Sequence, residues 1–413
     1  MPSRLLVLSN GHGEDLIALR VIRALRQRQP SLEVAVLPLV GEGLGFRAAE
    51  AAGELVRMGP SSALPSGGFS NQSLSGLLSD LAAGLPLISW RQLRIVRRWG
   101  RQGQPILAIG DLLPLLLAWS SAAPYGFIGT PKSDYTWRSG PGGHWPDDCY
   151  HRCKGSEWDP WEWALMRARR CRLVAMRDAL TARGLRRHGV GALAPGNPMM
   201  DGFAPAPLPR ALAGHRRLVL LGGSRMPEAL SNLRRLLEAL RLLRSIDAIV
   251  VFCPTGARPT GGELEPTLRA SGFSPTSLPA DCGAGSAWQR GKQLLLIGAG
   301  TFQHWAPWGE VGLATAGTAT EQLVGLGVPA LSLPGQGPQF QEGFARRQSR
   351  LLGGAVRVCP TPQALAAGLA QLLDTPSERH ALARIGRRRM GQAGGSARLA
   401  SLVERTLLDQ EQG

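Results

Sequence analysis

The sequence predicts an α/β protein of two halves, each a parallel sheet flanked by helices, the halves opposed across a linker. Three observations carry that expectation. Short apolar runs that end in glycine turns alternate with stretches whose apolar residues recur at helical spacing, which is the rhythm of βα units. A chain of 413 residues is longer than one hydrophobic core ordinarily serves. The stretch PGNPMMD at 195–201, followed by GFAPAPLPRALAGH, then sets helix-breaking prolines among small residues, so the rhythm stops there and restarts. The expected halves are 1–201 and 216–390, with a linker at 202–215 and a helical tail at 391–413 that crosses back to the first half.

Composition agrees with a globular, loop-rich α/β chain: 44% hydrophobic residues, 53 Gly and 31 Pro. Lys and Arg outnumber Asp and Glu by 47 to 30, giving a net charge of +17, nearly all of it from arginine. Such a field favours an anionic partner, whether nucleic acid, an anionic membrane surface or a phosphorylated substrate. No run of 18 apolar residues occurs, so no membrane-spanning helix is expected. The opening MPSRLLVLSNGHGED passes straight into a strand and a glycine turn; that leaves no room for a signal peptide and predicts a cytosolic chain. Of the six cysteines only Cys149 and Cys153 are closely spaced. With His144 and His151 they sketch a zinc site, but no second close pair accompanies them and no metal is assigned.

In the first half, residues 5–8 read as a buried strand, 9–13 as a glycine turn, and Leu16, Leu19, Ile22 and Leu25 as one face of a helix. Glu14 and Asp15 fall in the first helical turn, where acidic groups suit the positive end of the dipole. His12 lies in the turn itself. A histidine or carboxylate at the carboxyl edge of a sheet can deprotonate an incoming hydroxyl, so His12 and Glu14 are candidate bases. The alternatives are a helix-start signal and a turn hydrogen bond. This loop is no dinucleotide fingerprint, because it lacks a third glycine in register and an acidic residue after a clear second strand.

Residues 34–39 form the next strand. From 74 to 99, apolar residues accompany Trp90, Arg91, Arg94, Arg97, Arg98 and Trp99. Such a stretch can lie in a lipid interface, arginines near phosphates and apolar groups toward acyl chains, or it can bury its apolar face in its own core. Another strand at 105–110 runs into Asp111, which is either a third candidate base or the N-cap of the helical stretch 112–119. Strand 127–130 leads into the polar loop PKSDYTWRSG. The Trp-, Gly- and Pro-rich tract 137–163 is expected to be an irregular acceptor-side loop. A helix from 161 to 168 then precedes a strand at 173–176.

The second half restarts with a strand at 217–222 that enters a Gly-Gly-Ser-Arg turn. Beside Ser224, Arg225 has the planar fork that clamps a phosphate bidentately; an exposed loop arginine is the alternative. A helix at 228–243 and strands at 248–253, 294–297 and 311–314 continue the rhythm. The last of these opens VGLATAGTATEQLVGLGVPALSLPGQGPQF, a strand, a glycine turn, a helix and a second strand. Thr318 is expected as the N-cap, and the amides of the first turn, across Gly317, Thr318, Ala319 and Thr320, favour an anion, a phosphate by preference. Glu321 and Gln322 follow on the same helix. A second polar loop at 334–341, with Gln339, adjoins them at the same sheet edge.

These motifs, in this order, resemble the lipid-A-disaccharide synthase family in its divergent, synthase-related branch (glycosyltransferase family 19-like), and more broadly the two-domain GT-B glycosyltransferases. SNGHGEDLIALRVIRAL is similar to the family's opening glycine turn and helix, and AIGD at 108–111 to a strand that ends in a catalytic Asp. FIGTPKSDYTWR, PGNPMMD, LLGGSR and ATAGTATEQ are similar to its later motifs. The resemblance implies two Rossmann-like domains facing across a cleft. It implies inverting, metal-independent transfer of a sugar from a UDP-sugar co-substrate to a lipid or lipid-linked acceptor, with no cofactor, and no DxD metal motif occurs. Asp111, His12 or Glu14 would take the acceptor proton, Ser224, Arg225 and the 317–320 turn would hold the diphosphate, Glu321 or Gln322 the ribose, and Gln339 would complete the donor site. Trp90, Arg94, Arg97, Arg98 and Trp99 would meet the acceptor at the inner face of the cytoplasmic membrane, with no specific nucleic-acid partner.

Two other functions stay open. A UDP-sugar 2-epimerase uses the same architecture but needs no acceptor surface of the kind sketched by 74–99. A non-catalytic membrane- or RNA-binding protein suits the charge, although no RNA-binding motif or interleaved aromatic platform occurs.

Overall fold

The computed structural model describes residues 3–59, 85–142, 145–203, 206–243, 247–335 and 340–409. The chain divides into two compact units, one of Met1–Trp137, His144–Asp201 and Gln392–Gly413, the other of Arg138–Gly143 and Gly202–Gly391.

The first unit is built on seven strands: β1 (Arg4–Ser9), β2 (Glu33–Pro38), β3 (Val56–Arg57), β4 (Ile106–Gly110), β5 (Tyr125–Gly129), β6 (Cys171–Met176) and β7 (Ala192–Leu193). They lie in the order β3-β2-β1-β4-β5-β6-β7 and are parallel throughout. LLVL in β1 and ILAI in β4 are wholly buried, as strands covered on both faces must be. From β1 the chain steps outward to β2 and β3, then returns to β1's other side at β4. The direction of winding therefore reverses between β1 and β4.

Helix His12–Arg28 buries Ile17, Ala18, Val21, Ile22 and Leu25. Against it packs helix Gly395–Val403, from the far end of the chain, through the buried Leu399, Ala400 and Val403. Leu407 reaches β5, where a Cβ on Gly126 would stand 2.9 Å from its Cδ1. Asp201 fastens the start of this helix, its carboxylate accepting from the N–H groups of Gly394 and Ser396. Gly395 leaves no space for a side chain, since its Cβ would stand 2.7 Å from the Asn197 carbonyl carbon. PGNPMMD is thus a seat for the returning chain as well as a break.

The tract 137–163 corrects the expected irregular loop. Helices Tyr135–Ser139, Pro146–Lys154 and Pro160–Met166 occupy it. Pro146 and Pro160 stand at the first helical position, where a missing N–H goes unnoticed. Three residues into each helix start, Asp148 and Glu162 accept from the N–H groups of Trp145 and Asp159 at 2.9 and 2.8 Å. These acid-closed starts turn apparent breakers into initiators. Cys149 and Cys153 are exposed, one turn apart on the middle helix.

The second unit has eight strands: β8 (Arg216–Leu221), β9 (Ile249–Thr255), β10 (Ser274–Thr276), β11 (Ser286–Arg290), β12 (Gln293–Ala299), β13 (Val311–Ala314), β14 (Ala330–Ser332) and β15 (Val356–Val358). Their order is β10-β11-β12-β9-β8-β13-β14-β15, with β12 through β15 parallel and β10 and β11 an antiparallel margin. Here the winding reverses between β8 and β13. Within 202–215, Leu212 is buried in this unit's core and Ala206 O accepts from Trp308 Nε1 at 2.8 Å, so this stretch is part of the unit. Among the described residues no helix is long and apolar enough to cross a membrane.

Candidate functional site

In parallel α/β sheets, ligands collect outside the carboxyl ends of the strands where winding reverses. In the first unit that point joins three loop beginnings: 10–14 after β1, Asp111 after β4, and 130–132 after β5. Asn10 Nδ2 donates to Asp111 Oδ1 at 2.6 Å, and the Leu113 N–H donates to the same oxygen at 3.2 Å. Asp111 is therefore the N-cap of helix Leu112–Ser120 and also a member of the cluster. Thr130 Oγ1 donates to Glu14 Oε1 at 3.0 Å. Gly110, at φ +136°, permits this closeness, because a Cβ there would meet Asn10 Cβ at 3.0 Å and Glu14 Cγ at 3.6 Å.

Burial raises the Glu14 carboxyl from 4.5 to about 7; hydrogen bonds from the backbone and Thr130 oppose the rise, and the neighbouring Asp111 and Asp15 carboxylates add to it. Asp111 is also raised by burial, against the pull of the Leu113 N–H, the Lys132 charge and Asn10. Asp15, buried and bonded by Ser9 Oγ at 2.6 Å, rises to about 6. A carboxyl near 7 is part-ionised at neutral pH and suited to taking a proton from a hydroxyl. His12 stands exposed at the first residue of helix His12–Arg28, so the three candidate bases share one edge of the sheet.

In the second unit the reversal joins the turn after β8 to the turn after β13. Thr315 N–H donates to Leu221 O at 2.8 Å, and a Cβ on Gly223 would lie 3.6 Å from Thr315 O. Ser224 and Arg225 are exposed on the first turn, with partial burial lowering the guanidinium pKa and Glu228 opposing that. Helix Thr318–Gly325 starts at the second. The expected Thr318 cap is corrected: Gly317, at φ −84° and ψ −89°, is the N-cap, Thr318 is already helical, and no side chain caps the helix. A glycine there leaves the first amides without the oxygen that Ser, Thr or Asp would bring, an arrangement that an anion completes.

The Gly317 carbonyl accepts from Thr320 and Glu321 N–H at 3.1 and 3.2 Å, and from Gln348 Nε2 at 2.9 Å. Thr320 is fully buried and donates through Oγ1 to Ala316 O at 2.6 Å, which makes it a brace of the turn. Gln322 lies on the buried side of the helix, whereas Glu321, beside Ala319 and Thr318, keeps partial exposure. A third loop follows β14. There Arg235 donates to Pro334 O, and a Cβ on Gly335 would meet Asn232 Oδ1 at 3.0 Å. Gln339 lies outside the described residues.

The expected membrane set is corrected in part. Residues 74–84 lie outside the described residues, and helix Leu85–Gly100 turns Gln92, Val96 and Trp99 inward. Trp99 is 4% exposed, sits in the core of the first unit, and donates through Nε1 to Pro105 O at 3.2 Å. Val96 and Trp99 are spent on the core of the first unit, so Trp99 leaves the set. Arg94, Arg97 and Arg98 are exposed on the other side, and the Arg94 guanidinium lies 4.7 Å from the ring centre of Trp90, itself 52% exposed. Helix Leu112–Ser120 packs beside it and exposes Leu116 and Trp119.

Sequence reasoning passed over Asn10, Thr130 and Gln348. Asn10 and Thr130 carried the signal that singled out Asp111, a polar residue directly after a buried strand. Gln348 carried none, being one glutamine on helix Glu342–Leu351, 31 residues beyond the glycine it touches. Among the described residues no group of three or more His, Cys, Asp or Glu side chains is gathered as for a metal.

No protein-family profile matches the chain, and no curated protein matches its sequence. Solved structures share its fold along nearly its whole length. CalG4, the calicheamicin glycosyltransferase, is similar at TM-score 0.60 and 14% identity, over 98% of this chain and 99% of its own. MurG of Acinetobacter baumannii is similar at TM-score 0.53 and 17% identity, over 98% and 100%. The UDP-GlcNAc 2-epimerase of Neisseria meningitidis, solved bound to UDP-GlcNAc, is similar at TM-score 0.53 and 13% identity, over 97% and 100%. The likeness is one of fold: two α/β domains with parallel sheets, the GT-B architecture.

Proposed function

We propose that this chain is a glycosyltransferase that moves a sugar from a UDP-sugar to a lipid or lipid-linked acceptor, as the lipid-A-disaccharide synthases do, at the inner face of the cytoplasmic membrane. The observation that carries the reading is the convergence, at the reversal of the second sheet, of the Ser224–Arg225 turn with a helix start whose amides no side chain caps. Guanidinium and amides together neutralise a leaving diphosphate without a divalent ion, because fixed dipoles need no reorganisation as charge develops. Glu321 takes the ribose, since Gln322 is buried. In the first unit, Glu14 or Asp111 accepts the acceptor hydroxyl's proton as that oxygen attacks the anomeric carbon and the bond to the diphosphate breaks. The lipid side of the proposal is supported by the arginines and Trp90 of helix Leu85–Gly100, with Leu116 and Trp119 on the helix beside it.

A second reading has its own support. The N. meningitidis epimerase has the same fold, and two neighbouring carboxyls suit removal and return of a proton at one carbon as well as they suit a base for an acceptor. Burial of the apolar stripe at Val96 and Trp99 also weakens the sequence argument against an epimerase. Full-length protein incubated with UDP-GlcNAc and other UDP-sugars, with and without extracted membrane lipid, separates the readings. Glycolipid formed only when lipid is present supports the transferase; ManNAc products from UDP-GlcNAc alone support the epimerase. No product and no rise in melting temperature with UDP would sink both and favour a non-catalytic binding protein.

A further inference from the structure

We infer that Gln348 is a positioning residue for the donor diphosphate, acting through the peptide group between Gly317 and Thr318. The inference rests on the donor half of the proposed function and assigns a residue that touches no ligand itself. Gln348 is 3% exposed on helix Glu342–Leu351, and its Nε2 donates to the Gly317 carbonyl at 2.9 Å. A trans peptide is planar, with its N–H directed opposite its carbonyl. Anchoring the Gly317 oxygen therefore aims the Thr318 N–H, the first amide of the uncapped helix.

The same oxygen accepts from the Thr320 and Glu321 N–H groups at 3.1 and 3.2 Å, and Gln348 adds a side-chain donor from a neighbouring helix at a residue with no side chain of its own to restrain the turn. Its other neighbour on the same helix is Phe344, whose ring would lie 3.5 Å from a Gly317 Cβ. Phe344 and Gln348 are one turn apart, so one helix face supplies both a wall and a donor for the turn. Only the amide nitrogen can face a carbonyl, which fixes the orientation of the Gln348 side chain. Its Oε1 is left buried without a partner. A buried acceptor left unpaired is a cost, retained here together with the bond its other end makes. The donated bond also polarises the peptide and strengthens its N–H toward an anion.

The test compares Gln348→Met, which keeps the volume and removes the donor, with Gln348→Glu, which puts a carboxylate where the donor was. Full-length wild type, both variants and Arg225→Ala are titrated with UDP and with uridine by calorimetry, and their melting temperatures are recorded without ligand. We expect Gln348→Met to weaken UDP roughly three- to tenfold and to leave uridine unchanged. Gln348→Glu should weaken UDP further, and added salt should narrow its distance from the Met variant. A uridine affinity that falls in step with UDP would mean general loosening of the unit and would overturn the proposal. So would UDP affinity equal to wild type in both Gln348 variants while Arg225→Ala binds UDP weakly; in that case the donor reading survives and this inference alone falls. If wild type binds no UDP, both fall together.

Discussion

Replacing Glu14 with glutamine isolates the cost of holding a carboxyl at the β1 turn. In the fold this group's pKa rises from 4.5 to about 7, chiefly through burial. A group that holds its proton more tightly when folded stabilises the fold below its unfolded pKa, and that contribution is lost as pH climbs through the folded one. The window therefore runs from about 4.5 up to about 7. At about 1.4 kcal/mol for each tenfold change in proton affinity, the span is worth roughly 3 kcal/mol, an upper figure because the residue keeps some contact with solvent. Glutamine preserves the length and an oxygen for Thr130 Oγ1 but carries no charge. Wild type should accordingly lose up to about 3 kcal/mol relative to Glu14→Gln between about pH 4.5 and about pH 8. Amide exchange in β1 and β4 reads the opening of this unit without requiring the whole chain to unfold in one step. A gap that stays within about 0.5 kcal/mol across the range would show the carboxyl to be ordinarily hydrated, and its nomination as a base near neutrality would fail.

Three further outcomes are expected. Arg225→Ala should weaken UDP about 10- to 100-fold in calorimetry, the value of a charged hydrogen bond, and an unchanged affinity would remove the arginine from the donor site. Asp111→Asn keeps a good N-cap for helix Leu112–Ser120 and removes the charge; turnover should fall at least about 100-fold with UDP affinity and melting temperature held, whereas full activity would leave Asp111 a cap alone. Asp201→Ala removes both acceptors at the start of helix Gly395–Val403 and should cost about 1 to 2 kcal/mol, seen as faster amide exchange across 395–408; protection equal to wild type would contradict the latch.

Much of the fold was legible because parallel strands covered on both faces must be continuously apolar. VLLGG-type runs at β1, β4, β5, β8, β9, β12 and β13 announce themselves, and the helices between them repeat every three or four residues. Short margin strands such as β3, β7 and β15 leave no such mark, since two or three residues hold no period. The tract 137–163 misled for a physical reason: proline reads as a breaker unless the acid three residues into the helix is noticed, as at Asp148 and Glu162. At the candidate site, sequence could identify residues placed by the strand-to-loop rule, such as Asp111, Arg225 and Gly317. It could not decide which face of helix Leu85–Gly100 looks inward, because Trp90 and Trp99 read alike until a sheet is laid under one of them. Nor could it find Gln348, whose relation to Gly317 exists only in three dimensions.

The seat that Asp201 provides for the returning chain bears on how the protein is made. A ribosome releases β1 through β7 early, yet helix Gly395–Val403, which packs on helix His12–Arg28, is encoded some two hundred residues later. Until Leu399, Val403 and Leu407 arrive, one flank of the first unit is a bare apolar surface, and the second unit is free to finish folding before the first. Synthesis thus completes the older unit last. Residues 1–201 expressed by themselves should precipitate or recruit chaperones, and supplying the 392–409 segment as a separate peptide should restore their solubility.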